Sequence, residues 1–290
     1  MRRLLIVGCG DIGLRLAQIV HGRWRVYALS RSKQHQEPLR ALGAVPVVAD
    51  LDRPETLERL AGLAHDVVHL VPPPRTGLRD TRTSNLVRAL AKGGSIPQRL
   101  VYMSTSGVYG DCRGALVPET RPAMPMSARA TRRTDAERVL RGWGAESGTH
   151  VTVLRVPGIY ASERLPLARL QSGTPALAPE YDAYTNHIHA DDLARVVLAA
   201  LVRGKGGRIY NASDDSSMKM GDYFDLVADC FGLPQPPRVS WEAAQACVPE
   251  TSLSFMRESR RLSNARLKKE LRVRLRYPSV HEGIAAVRAS

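Results

Sequence analysis

The segment "VGCGDIG" sets Gly8, Gly10 and Gly13 in the spacing GxGxxG. The glycines of such a loop play different parts, since the first permits a tight turn, the second lets the main chain approach a pyrophosphate, and the third lets the following helix pack closely. That helix would present free N–H groups and the positive end of its dipole, so Asp11 and Ile12, at its start, join the glycines as candidate cofactor residues. Glycines at this spacing also serve a bare tight turn, and only the flanking elements tell the two apart. A second group sits where later strands end. "ALSRS" puts Ser30, Arg31 and Ser32 where a carboxylate would bind the ribose 2′-hydroxyl of NAD. With an arginine there and no Asp or Glu, the expected cofactor is NADP rather than NAD. Asp50 and Leu51 would meet the adenine, and Val71, Pro72 and Pro157 complete the expected cofactor set.

Those residues need a scaffold that delivers strand ends to one place. "RLLIVG", "RVYALSRS", "AVPVVADL", "DVVHLVPP", "RLVYMSTS" and "VTVLRV" read as six strands, separated by segments with helical or polar patterning. Apolar runs without polar alternation belong to strands covered on both faces, so the expected class is α/β, a Rossmann-type doubly wound parallel sheet. Ligands in such sheets bind at the carboxyl ends of the strands. After residue 157 prolines cluster and the pattern loosens, which predicts a smaller, loop-rich C-terminal substrate lobe holding one firm helix, "HADDLARVVLAALVRG", and one strand, "GRIYNAS". The expected division is 1–157 with 186–204 for the nucleotide domain, and 158–185 with 205–290 for the lobe.

Composition excludes several classes. A chain of 290 residues buries a core without metals or disulfides. No apolar stretch is long enough to span a membrane, and the run Leu4 to Val7 is too short for a secretion signal. Cys9, Cys112, Cys230 and Cys247 show no paired spacing, so no metal site and a reducing, cytoplasmic setting are expected. The net charge of +14 suits acidic partners, a phosphorylated cofactor or substrate among them. Nucleic acid is disfavoured because the arginines are scattered. The one dense stretch, 260–276, carries Leu262, Leu267, Leu271 and Leu275 at roughly helical spacing, as in a helix with a solvated basic face.

With the glycine loop, "YMSTSGVYGD", "LRVPGIYA", "NHIHADDLARVV" and "GRIYNASDD" together, the chain resembles the extended short-chain dehydrogenase/reductase family in its NAD(P)-dependent epimerase/dehydratase branch. The resemblance implies that Thr105 polarises a substrate oxygen, that Ser104 sits against the nicotinamide, and that Tyr109, His187 and His189 face the substrate. It also implies a Tyr base four residues before a Lys. Anchored on Glu137 of "DAE", those positions hold Arg129 and Arg133, and no residue from Ser127 to Arg138 is Tyr or Lys. The glycine loop departs too, with Val7 where the usual GxxGxxG has glycine. Arginine cannot act as the base, since its reference pKa is about 12.5 to 13.8, although Arg133 can still donate to a ribose or phosphate. Tyr109, Tyr160, Tyr184, His187 and His189 are the other side chains considered for the base.

Two functions follow as expectations. One is hydride chemistry on the hydroxyl or carbonyl of a small substrate, phosphorylated or nucleotide-linked, by an oxidoreductase or epimerase. The other is a non-catalytic NADP-binding sensor or scaffold. The resemblance further implies a homodimer through the helices of "RDTRTSNLVRALAKG" and "ARATRRTDAERVLRGWG".

Overall fold

A computed structural model describes residues 1–31, 36–92 and 94–288. Strand β1 (Arg2–Val7) lies inside a parallel sheet whose other strands are β2 (Trp24–Ser30), β3 (Val45–Val48), β4 (Asp66–His69), β5 (Arg99–Thr105), β6 (His150–Val156) and β7 (Ile209–Asn211). Their order across the sheet is β7-β6-β5-β4-β1-β2-β3, every pair parallel. The chain therefore runs outward from β1 to β3, returns, and runs outward again from β4, leaving a crevice between β1 and β4 at the carboxyl edge.

The apolar runs have a direct cause. Leu4 and Ile6 join one core layer while Leu5 and Val7 join the other, because successive side chains of a strand point to opposite faces and both faces are covered. The first layer is closed by α1 (Asp11–Val20) and by helix Ala190–Arg203. The second is closed by the 3₁₀ turn Pro54–Leu60 with α3 (Thr81–Ala91) and α4 (Ala128–Ser147), while α2 (Gln36–Ala41) packs near β3 and adds Leu39 to the first. Ser127 caps α4 by accepting from the Ala130 N–H at 3.2 Å, and Gly148 ends it in the left-handed conformation, φ 76°.

The sheet has seven strands rather than six. Ile209–Asn211 pairs with β6 through Tyr210 opposite Leu154, so the "GRIYNAS" strand belongs to the sheet edge, although the sequence division groups it with the lobe. Beyond the sheet, helices Leu167–Gln171, Met220–Phe231 and Val280–Arg288 share an apolar cluster built on Tyr160, Phe224, Val227 and Ile284. The dense basic stretch is not one helix. Arg261–Leu262 is a short strand paired with Leu116–Val117, and only Ala265–Leu271 is helical, ended by Arg272 at φ 51°. Leu267 and Leu271 are buried there, as a helical reading of that shorter span requires.

Candidate functional site

The glycine loop stands at the carboxyl end of β1, over the crevice. Gly8 has φ 102°, and a Cβ on it would meet Val71 Cγ2 at 2.8 Å; a Cβ on Gly13 would meet the Gly8 carbonyl oxygen at 2.6 Å. Those two glycines are demanded by the protein's own packing. Gly10 differs: its φ is −76° and no protein atom lies within 4 Å of a Cβ built there, so the free space belongs to the cavity that it lines. No side chain caps α1, which leaves its first N–H groups directed at the same cavity. The cavity holds about 890 Å³ and runs over the carboxyl ends of β1, β2 and β4. Asp11 would repel a diphosphate at this helix end, but Arg15 at 2.6 Å and Arg164 at 2.8 Å neutralise its carboxylate. These residues fit a dinucleotide.

Arg133 comes to the same cavity from α4. Its Nη1 donates to the Met103 carbonyl at 2.7 Å, to Tyr102 Oη at 3.1 Å and to the Val71 carbonyl at 3.5 Å. Among the described residues its Nε and Nη2 have no hydrogen-bond partner and remain available to a ribose or phosphate. Arg82 is matched by Asp52 at 2.6 Å and holds that carboxyl below the usual carboxylate range. Arg31, exposed at the end of β2, lines the cavity too.

A second cavity, of about 450 Å³, adjoins the first, and Ile159 and Arg164 line both. Thr105, Arg129, Pro157 and Tyr184 face it, together with lobe residues such as Phe224 and Phe255. Thr105 Oγ1 accepts from the Gly107 N–H at 3.3 Å, so its own hydrogen is free to point elsewhere. The Arg129 guanidinium lies 4.2 Å from the Phe255 ring centre, and burial lowers its pKa.

A family model described as NAD(P)H-binding matches residues 8–203. The chain belongs to the NAD(P)H-binding family. It is 29% identical over 249 residues to Protein YeeZ of Escherichia coli strain K12, covering 81% of this chain and 86% of that protein. It is 27% identical over 271 residues to the 4-hydroxy-2-methyl-3-oxo-4-farnesyl-3,4-dihydroquinoline-1-oxide ketoreductase of Stigmatella aurantiaca, covering 86% and 79%. Among solved structures, a UDP-glucose 4-epimerase of Thermotoga maritima with UDP-glucose superposes with a TM-score of 0.79, at 19% identity and 99% and 97% coverage. That last likeness is one of fold, and the fold is that of the epimerase/dehydratase branch whose motifs the sequence resembles.

Within this NAD(P)H-binding chain the cofactor candidates Gly8, Gly10, Asp11, Ile12, Gly13, Ser30, Arg31, Asp50, Leu51, Val71, Pro72 and Arg133 line the first cavity, and Ser32 lies outside the described residues. Pro157 lines the second cavity instead. Four expected site residues line neither. Ser104 is turned into the core, donating to Glu137 Oε1 at 2.6 Å beside the buried Glu137–Arg155 ion pair, 2.7 Å long. Tyr109 is buried, with Oη donating to Asn211 Oδ1 at 2.8 Å and its ring under the Arg155 guanidinium. His187 stacks on Tyr223, 4.2 Å between ring centres, and burial pushes its pKa down to about 3. His189 caps helix Ala190–Arg203 by accepting from the Asp191 N–H at 3.2 Å. Of the five side chains considered for the base, Tyr160 is also buried, with its pKa raised by that burial; Tyr184 alone lines the second cavity. Sequence reasoning missed Arg82, Met103, Ile159 and Arg164 in the first cavity: Met103 and Ile159 sit inside "YMSTSGVYGD" and "LRVPGIYA" but carry no polar group to single them out, and no motif marks Arg82 or Arg164.

Proposed function

We propose that this chain is an NAD(P)(H)-dependent oxidoreductase acting on a carbonyl or hydroxyl of a small substrate, with NADP preferred. The observation that carries the reading is the meeting of the two cavities at Ile159 and Arg164, with the glycine loop in one and Thr105 in the other. Gly8, Gly10 and the α1 N-terminus would hold the diphosphate, Arg31 the 2′-phosphate, and Arg133 Nη2 a ribose hydroxyl. Bound NADP(H) supplies or accepts the hydride. Thr105 donates its hydroxyl hydrogen to the substrate oxygen, which favours the charge that builds there.

A reduction also needs a proton, and neither Arg129 nor Arg133 can release one at working pH. We assign that proton to Tyr184, the phenol that lines the cavity. The expected result is NADPH oxidation by some member of a panel of aldehydes, ketones and sugar nucleotides. Tyr184→Phe should lower kcat by roughly 100- to 10,000-fold, the worth of a positioned acid, with KM little changed. Tight NADPH binding without turnover of any compound would sink the reductase reading. The arginine at the proton donor's position would then favour a non-catalytic NADP-binding sensor or scaffold.

The cofactor preference is tested separately. Arg31→Asp should weaken NADP relative to NAD by roughly tenfold or more, the loss of one bond to a charged group plus a new repulsion. Unchanged selectivity in a fluorescence titration would remove Arg31 from the role. The reading includes a cytoplasmic setting and a homodimer through α3 and α4, with anions or carboxylates between their arginines.

A further inference from the structure

The second cavity is cationic far beyond what its own carboxylate can balance. Arg129, Arg164, Arg169 and Arg260 line it, and Glu258 is the one acidic side chain among the described residues that do. Glu258 is committed to Arg260 at 2.8 Å, and Arg164 is committed to Asp11. Arg260 spends the same nitrogen on the Gly110 carbonyl, at 2.7 Å, and its Nε is buried without a partner. Arg169 bonds the Pro175 carbonyl through Nη2, and its Nε is likewise buried and unpartnered. The Arg129 guanidinium has no hydrogen-bond or ion-pair partner among the described residues.

Two aromatic rings hold these cations. Arg129 lies over Phe255 at 4.2 Å and Arg169 over Phe224 at 4.7 Å. A ring face stabilises a guanidinium and fixes its plane, yet it leaves the N–H edge donors unsatisfied. A guanidinium N–H buried without an acceptor is costly, as at Arg169 Nε and Arg260 Nε, and an oxyanion presenting several lone pairs to the planar N–H fork would offset that cost. A neutral substrate would leave it in place.

We propose that the second cavity binds an oxyanion carried by the substrate, a phosphate or a carboxylate, and that Arg129 and Arg169 are its specificity-determining ligands. The word substrate rests on the oxidoreductase reading above; the anion site does not. The arginine at the expected tyrosine position then has a role in its own right, holding the anionic group beside the reacting carbon and so selecting which molecules present a carbonyl to Thr105.

The test is a calorimetric titration of the full chain, with NADP present to block the dinucleotide cavity, using inorganic pyrophosphate in one arm and malonate in the other. At least one probe should bind; pyrophosphate alone would identify a phosphorylated substrate and malonate alone a carboxylate. Arg129→Ala and Arg169→Ala should each weaken binding roughly tenfold to a hundredfold, the value of a hydrogen bond to a charged group. Arg129→Lys, which keeps the charge and loses the fork, should recover part of it, and circular dichroism shows whether each variant is folded. Absence of binding by both probes, or binding unchanged in both alanine variants, overturns the proposal. The two readings fail separately. Anion binding lost with Arg129 in a protein that oxidises no NADPH keeps the anion site and removes the reductase; turnover of an uncharged ketone with no anion binding does the reverse.

Discussion

Glu137 and Arg155 face each other from α4 and β6 with their side chains about 5% exposed, one residue along β5 from the point where Thr105 enters the second cavity. Two charges withdrawn from water are tolerated only while each satisfies the other. Glu137 also accepts from the Ser104 hydroxyl and the Arg155 guanidinium lies over the Tyr109 ring, yet the satisfaction stays incomplete, since Arg155 Nη1 has no hydrogen-bond partner. Glu137→Ala should therefore destabilise the fold by about 3–5 kcal/mol, because it strands a buried cation. The double variant Glu137→Leu with Arg155→Met should lose clearly less than that single change. Urea denaturation of the single and double variants checks both statements; equal losses would show that the pair is not the coupled unit described. The same residues explain why Ser104 and Tyr109 are absent from the cavities: each completes the hydrogen bonding of a buried charge or amide.

At the scale of elements, the contact between β1, the glycine loop and α1 sets where a dinucleotide can lie. Gly13 and Gly10 are three residues apart and have opposite reasons to be glycine. A methyl group on Gly13 meets the Gly8 carbonyl at 2.6 Å, a backbone atom that cannot yield, so Gly13→Ala should push α1 off the sheet. Both the melting temperature and cofactor affinity should fall. A methyl group on Gly10 meets no protein atom within 4 Å and sits at an ordinary φ of −76°, so Gly10→Ala should leave the melting temperature unchanged while NADP affinity drops by roughly tenfold or more. Thermal melts paired with fluorescence titrations separate the two. Equal behaviour of the two variants would mean that the free space at Gly10 is not where the diphosphate goes.

At the scale of the whole molecule, the sheet edge is joined to the lobe through Asp214, three residues past the end of β7. Its N–H donates to the His187 carbonyl at 2.8 Å, its carbonyl accepts from Asn264 Nδ2 at 3.0 Å, and its Oδ1 accepts from the Ser216 N–H at 2.9 Å. Oδ2 is buried without a partner, and burial, with Asp215 and Asp192 nearby, pushes the carboxyl up to about 7. The unfolded chain releases this proton near pH 4. The folded chain holds it longer, so between about pH 4 and 7 the native state binds more protons and its stability falls as the pH rises, levelling off above about 7. Asp214→Asn removes that slope. The stability advantage of the Asn variant over the parent should grow from pH 4 to pH 7 by on the order of a few kcal/mol, measured by denaturant titration at several pH values. A constant difference across that range would show that Asp214 is ionised in the folded protein.

Much of the sheet is legible because its signals are local. Strands buried on both faces must be apolar throughout, and a helix that starts against a strand end needs glycine where backbone meets backbone, so "RLLIVG" and "VGCGDIG" carry their structure in consecutive residues. The arginines Arg129 and Arg133, at the positions where the resemblance implies a tyrosine and a lysine, are legible for the same reason, being a matter of spacing along one helix. The seventh strand escapes the sheet in a sequence reading because three residues, Ile209, Tyr210 and Asn211, show no period, and only their pairing with β6 reveals where they lie. The cavities depend on more distant meetings still. Arg164 reaches Asp11 across 153 positions, Tyr109 is taken out of the site by Asn211, 102 positions away, and Phe255 arrives under Arg129 from a part of the chain without a motif. By itself the sequence determined a doubly wound sheet with a glycine loop at its first strand, and arginine where the resemblance implies a base. Only the tertiary structure decided which charges are paired in the core and which face a cavity, because that depends on packing between segments far apart along the chain.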